Sequence, residues 1–167
     1  MGTKSPQLPA PQSTVAQRFG SGLLCVLGLF CSPASADFES GLSAYLRADY
    51  AQALAEWKPL AEAGEQEAQN NLAVMYDRGH GVEKNLHEAF KWYKLAAEQG
   101  NREAQYSVGL MFSRGEGVRE DDREAVLWYR RSAELHFPQA QYHLGLVYDF
   151  GDGVPEDNLE AANWYRR

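Results

Sequence analysis

Residues 68–103 read AQNNLAVMYDRGHGVEKNLHEAFKWYKLAAEQGNRE, and residues 104–139 read AQYSVGLMFSRGEGVREDDREAVLWYRRSAELHFPQ, without a gap between them. A third copy, AQYHLGLVYDFGDGVPEDNLEAANWYRR, fills residues 140–167. In register, all three agree at the columns of Ala68, Gln69, Gly79, Gly81, Val82, Glu88, Ala89, Trp92 and Tyr93. A 36-residue period of this kind fixes the architecture before any single residue is interpreted. A shorter copy precedes them, with Asp49, Ala53, Trp57, Ala61 and Gly64 in the same columns or one place off. The repeats are therefore set at about 37–67 (degenerate), 68–103, 104–139 and, incomplete, 140–167.

Each copy divides into two helices. In the first, from about Ala68 to Arg78, Ala68, Leu72, Met75 and Tyr76 recur at i, i+4, i+7 and i+8 and so share one face. Gly109 and Gly145 stand where the earlier copy has Ala73. Glycine inside a helix costs ~1 kcal/mol relative to alanine, so its recurrence predicts a neighbouring helix packed close. The pairs Gly79/Gly81, Gly115/Gly117 and Gly151/Gly153, each followed by a valine, turn the chain by adopting positive φ, and the valine covers the elbow.

The second helix starts at Asp49, Asn85, Asp121 and Asp157, whose side chains accept hydrogen bonds from the free amides of the first turn. Three residues on, Gln52, Glu88, Glu124 and Glu160 are placed to reach back to the cap's own amide and complete a capping box. Ala89, Tyr93, Ala96 and Ala97 form the buried stripe. Trp92, Trp128 and Trp164 lie beside it, next to Tyr93, Tyr129 and Tyr165. Gly100 ends the helix; where His136 replaces it, Pro138 opens the next helix instead.

The repeat also decides what the tempting motifs are. Asp149-Phe150-Gly151 spells a kinase-like tripeptide, but it occupies the columns of Asp77-Arg78-Gly79 and Ser113-Arg114-Gly115 and is a turn. The Gly-x-Gly pairs lack the third glycine and the preceding strand of a phosphate cradle. His80, His87, His136 and His143 form no metal or catalytic signature, and the repeated glutamates belong to helix starts. No catalytic residue, no metal ligand and no cofactor is assigned.

Before Asp37 the chain carries Lys4 and Arg18, no acid, an apolar run from Phe19 to Cys31, and Ser32-Pro-Ala-Ser-Ala36. The run is shorter than the ~20 residues of a membrane-spanning helix, and the small residues at its end suit a signal peptidase. Residues 1–36 are read as a secretory signal, in preference to an uncleaved anchor, leaving residues 37–167 with no membrane span in the periplasm or secreted. Both cysteines leave with it, so disulfides and thiolate-bound zinc are excluded. Losing Lys4 and Arg18 takes the formal charge from −7 to −9, which repels phosphate backbones and makes nucleic acid a poor partner.

The 36-residue period, the AxxxLGxMYxxGxGVxxDxxxAxxWYxxAAExG pattern and the secretory signal together resemble the Sel-one-like repeat (SLR) family, relatives of the tetratricopeptide repeats. Tetratricopeptide units run 34 residues and lack the Gly-x-Gly-Val insert. The resemblance covers about Phe38 to Arg167. It implies an all-α, right-handed α-solenoid of stacked helix-turn-helix repeats that serves as an exported adaptor for other proteins, possessing no catalytic residues. One cysteine-rich branch resembles penicillin-binding enzymes, so a cell-wall or β-lactam hydrolase is the alternative. The disulfides of that branch are absent here, as is any Ser-x-x-Lys motif.

In a solenoid the first helices line an open concave face. On it the columns Asn70/Tyr106/Tyr142, Val74/Leu110/Leu146 and Asp77/Ser113/Asp149 vary between copies, and tyrosines with scattered polar groups suit a peptide or protein segment. The third copy stops at Tyr165-Arg166-Arg167, where the earlier ones continue. That is read as a fragment of a longer protein or as a Trp164-Tyr165 surface left open for self-association.

Overall fold

A computed structural model describes residues 37–167; the secretory signal expected at 1–36 lies outside the described residues. Among the described residues there are eight helices and no strand. They are α1 (Phe38–Leu46), α2 (Tyr50–Glu62), α3 (Gln66–Arg78), α4 (Leu86–Glu98), α5 (Arg102–Arg114), α6 (Asp122–Glu134), α7 (Pro138–Phe150) and α8 (Asn158–Tyr165). Every substantial helix–helix contact joins neighbours in the chain, first within a hairpin and then between one hairpin and the next. The result is an α-solenoid of helical repeats, and its core is a chain of three linked clusters, not one central mass.

Small residues set the spacing inside each hairpin. A Cβ on Gly109 would stand 2.7 Å from the ring of Tyr129, and one on Gly145 would overlap the ring of Tyr165. α5 and α7 thus each carry a notch into which the tyrosine of their own second helix fits. In the short first repeat Gly41 is the notch and Trp57, 1% exposed, is the ring, so this tryptophan stands in the column of Tyr93. Alanines line the rest of the seam: Ala44, Ala53, Ala68, Ala89, Ala104 and Ala140 are all fully buried. Backbones can approach closely only where side chains are this small.

The turns lock one repeat to the one before. Gly81, Gly117 and Gly153 have φ near +70°, and each also lies against the first residue of the preceding second helix. A Cβ on Gly81 would come 2.8 Å from Tyr50, one on Gly153 would come 2.6 Å from the Asp122 carbonyl, and one on Gly117 would overlap the Leu86 carbonyl. A second lock comes from the buried glutamines. Gln69, Gln105 and Gln141 donate through Nε2 to the carbonyls of Ala61, Ala97 and Ala133 at 3.1, 3.1 and 3.3 Å. Those carbonyls lie in the last turns of α2, α4 and α6 and also accept from the amides of Gly64, Gly100 and His136, so each glutamine takes the second acceptor position of a helix-end carbonyl.

Three details differ from expectation. The first helices start at Gln66, Arg102 and Pro138, two residues before the Ala-Gln columns, because an extended residue at 65, 101 and 137 precedes each of them. The capping glutamates do not reach back. Asn85, Asp121 and Asp157 accept from the first-turn amides, but their own amides donate to the carbonyls of Tyr76, Phe112 and Tyr148 at 2.9, 3.0 and 2.8 Å. The elbow delivers an unpaired helix-end carbonyl to the cap, so the box has no donor left to close on. Trp164 is 4% exposed, not open: its indole donates to Glu160 at 2.9 Å, and the Arg167 guanidinium sits 4.4 Å from its ring.

Candidate functional site

The three variable columns on the first helices have separate fates. Asp77, Ser113 and Asp149 face the tyrosines of their own hairpins. The Tyr165 hydroxyl donates to Asp149 Oδ2 at 2.7 Å, and the Ser113 and Tyr129 hydroxyls are 3.1 Å apart. Burial, and then the Asp77 charge, pushes the Tyr93 hydroxyl well above the usual phenol range. This column ties the hairpins together. Val74 and Leu110 are half-buried against the core clusters, and Leu146 lines a recess.

The column Asn70/Tyr106/Tyr142 is the most varied. Asn70 is buried, at 7% exposed, and Tyr142 is 56% exposed. Between them Tyr106 is half-buried, its ring 5.9 Å from Tyr129, 5.4 Å from Phe137 and 5.3 Å from His143. Tyr142 lies 5.8 Å from Tyr165, itself exposed. The sequence grouping of nine residues therefore resolves into tied, half-buried and open positions.

Two recesses adjoin this column. One, of about 400 Å³, lies where α1, α3 and the start of α5 meet, lined by Phe38, Gln66, Glu67, Asn70, Asn71, Asn101, Arg102 and Glu103. The other, of about 300 Å³, lies between α5, α6 and α7, lined by Ser113, Asp122, Tyr129, His143, Leu146, Phe150 and Asp152. Burial, helped by the Arg114 charge, lowers the His143 pKa, so the imidazole in this recess is neutral at neutral pH.

The structure brings out residues that the sequence reading passed over. His80 stacks on Tyr50 at 4.3 Å and shares a 3.0 Å hydrogen bond between Nδ1 and the Tyr45 hydroxyl, fastening the second repeat's turn to the first repeat. The glutamines at 69, 105 and 141 were visible as an unbroken polar column on an otherwise buried face. Among the described residues no group of His, Cys, Asp or Glu is arranged to hold a metal ion, and no helix is long and apolar enough to cross a membrane.

The Sel1 repeat matches residues 66–101, 102–137 and 138–167. A Sel1 repeat protein from Oxalobacter formigenes has a similar structure, with a TM-score of 0.75 and 36% identity over 78% of this chain and 54% of its own. A protective antigen of uropathogenic Escherichia coli strains, displaying an SLR fold, gives 0.74 and 34% over 79% of this chain and 30% of its own. The present chain thus spans about half the length of the first and under a third of the second. Cysteine rich protein B of Helicobacter pylori, at 0.56 and 19% over 71% of this chain and 84% of its own, shares the fold alone. No curated protein is significantly similar to this chain.

Proposed function

The chain belongs to the Sel1 repeat family, and from that premise we propose that it is an exported scaffold that holds a peptide or protein segment on the face of its first helices. Sel1 repeat proteins generally act as protein-interaction scaffolds. The observation that carries the reading is a division of labour between columns. The columns that stay fixed or nearly so are consumed by notches, joints and caps, while the column Asn70/Tyr106/Tyr142 changes from asparagine to tyrosine, runs from buried to exposed and reaches the surface at Tyr142. A surface that varies over a scaffold that does not is what recognition of one particular partner requires. No reaction is assigned to it, and no feature of the site favours the hydrolase alternative. The acidic balance supports a protein partner over nucleic acid, and regulation of an envelope process is the proposed outcome.

Peptide selection on the immobilised protein tests this directly. Enriched peptides are expected to bind saturably, and Tyr142→Ala is expected to weaken them while leaving the unfolding midpoint in place. A selection that yields no saturable binder would remove the scaffold reading. Export is tested separately by sequencing the amino terminus of protein recovered from the periplasm, where Asp37 is expected. Exposed Tyr165, Leu159 and Phe150 support self-association through the last repeat, which sedimentation at rising concentration would register.

A further inference from the structure

The register set by Gly41, Ala73, Gly109 and Gly145 places Phe38, Asn70, Tyr106 and Tyr142 in one column, aromatic in every repeat but the second. Where α5 meets α7, the Tyr106 ring leans on Phe137 with centroids 5.4 Å apart and closes the junction. One repeat earlier the same two positions are Asn70 and Asn101, neither of which carries a ring. The groove of about 400 Å³ lies at that junction. Asn101 is already engaged, its side chain accepting from the Ala104 amide at 2.9 Å. Asn70 is not. It lines the groove, is 7% exposed, and its Oδ1 has no hydrogen-bond donor.

A buried carbonyl oxygen without a donor destabilises the fold, and native structures seldom keep one without a use. The terminal amide torsion of asparagine is broad and its oxygen and nitrogen are nearly isosteric, so a half-turn exchanges the two, presenting Oδ1 to the groove and turning Nδ2 inward. Phe38 supplies an apolar wall. A carboxylate ligand would find one cation, Arg102, against two carboxylates, Glu67 and Glu103, and would bring an acceptor to the Asn70 oxygen. A bare phenyl ring would leave the oxygen unpaired. What fits is a ring with a donor at its edge.

We propose that this groove receives a tyrosine or tryptophan side chain from a partner polypeptide, the ring taking the seat that Tyr106 fills one repeat later and its O–H or N–H donating to Asn70. The inference rests on the scaffold reading and gives it a location and a chemistry.

Titration of the ¹⁵N-labelled full chain with N-acetyl-tyrosinamide, N-acetyl-tryptophanamide and N-acetyl-phenylalaninamide tests it, read at the side-chain amide resonances of Asn70, Asn71 and Asn101. The first two are expected to shift these resonances saturably, and the third to bind about fivefold more weakly for want of one hydrogen bond. Asn70→Tyr seats a ring of its own and is expected to abolish the response. Should that variant not fold, Asn70→Ala keeps the groove and removes the acceptor, so the three amides are expected to bind alike. Equal response of the wild type to all three, no shift at Asn70, or undiminished binding by Asn70→Tyr would each overturn the proposal. A selected peptide that binds the wild type and Asn70→Tyr equally would sink this inference and leave the scaffold reading standing. Failure of every selected peptide would sink the scaffold reading, while the amide titration would still decide the groove.

Discussion

Gln99 donates through Nε2 both to Gln69 Oε1 at 2.8 Å and to the Gly64 carbonyl at 3.0 Å, so one side chain at the end of α4 closes the joint below it. Gln69 is thereby fully used, its own Nε2 having gone to Ala61. One repeat later Leu135 stands in the place of Gln99, and Gln105 is left with a buried Oε1 that has no donor. Leu135→Gln supplies the donor and removes an exposed leucine. It is expected to raise stability by about 1 kcal/mol, visible as a higher urea midpoint; an unchanged or lower midpoint would show that the two joints are not equivalent.

The second turn glycine should be less replaceable than glycines at helix ends. Gly64 also has positive φ, but a Cβ there meets nothing within 4 Å. Gly64→Ala should cost about 1 kcal/mol for the left-handed backbone alone. Gly117→Ala carries that cost and also drives a methyl into the Leu86 carbonyl, so at least twice the loss is expected from the same denaturation measurement. Equal losses would mean that the joint yields freely.

Asp121 accepts from the amides of Arg123 and Glu124 at 3.0 and 3.1 Å. Asp121→Ala should cost about 1 kcal/mol and Asp121→Asn almost nothing, because asparagine caps as well. Glu124→Ala is expected to be near neutral, since the amide it was expected to cap is taken by Phe112. A loss at Glu124 comparable to that at Asp121 would revive the capping box.

Tyr106 and Tyr142 occupy one column but should separate under mutation. Tyr106→Ala removes a ring packed on Tyr129, Phe137 and His143 and is expected to cost about 2–4 kcal/mol. Tyr142→Ala, at an exposed ring, should fall within about 0.5 kcal/mol of the wild type. Thermal unfolding of the two single variants decides this; similar losses from both would place Tyr142 in the core.

His143 has a folded-state pKa lowered by burial and by Arg114. The folded protein therefore binds fewer protons there than the unfolded chain, so this contribution to stability is present above the unfolded value of about 6.5 and is lost as pH falls through it. Unfolding midpoints measured from pH 8 to pH 5 should drop more steeply for the wild type than for His143→Gln. Parallel curves would remove the histidine from the acid response.

Much of this architecture was legible because repetition amplifies weak signals. One asparagine before a helix is a suggestion, but Asp49, Asn85, Asp121 and Asp157 in register are helix starts, and Gly109 and Gly145 in register announce a helix pressed against them. What the period cannot convey is which surface meets which partner. The Gln69 bond to Ala61 and the stacking of His80 on Tyr50 depend on how one hairpin is rotated on the next. For the same reason the nine-residue face looked uniform in sequence, although Asp149 is tied to Tyr165, Asn70 is buried and only Tyr142 is open. The missing arm of the capping box had the same origin: the competing carbonyl of Tyr76 arrives only once the elbow has folded.

The seating of Gly81, Gly117 and Gly153 on the preceding helix starts has a mechanical consequence. With substantial contacts only between neighbours, the joints act in series, like the coils of a soft spring. Tension applied at the two ends is shared among them, each yielding slightly before any hairpin parts. A ligand wedged across one joint would stiffen that coil and leave the others compliant.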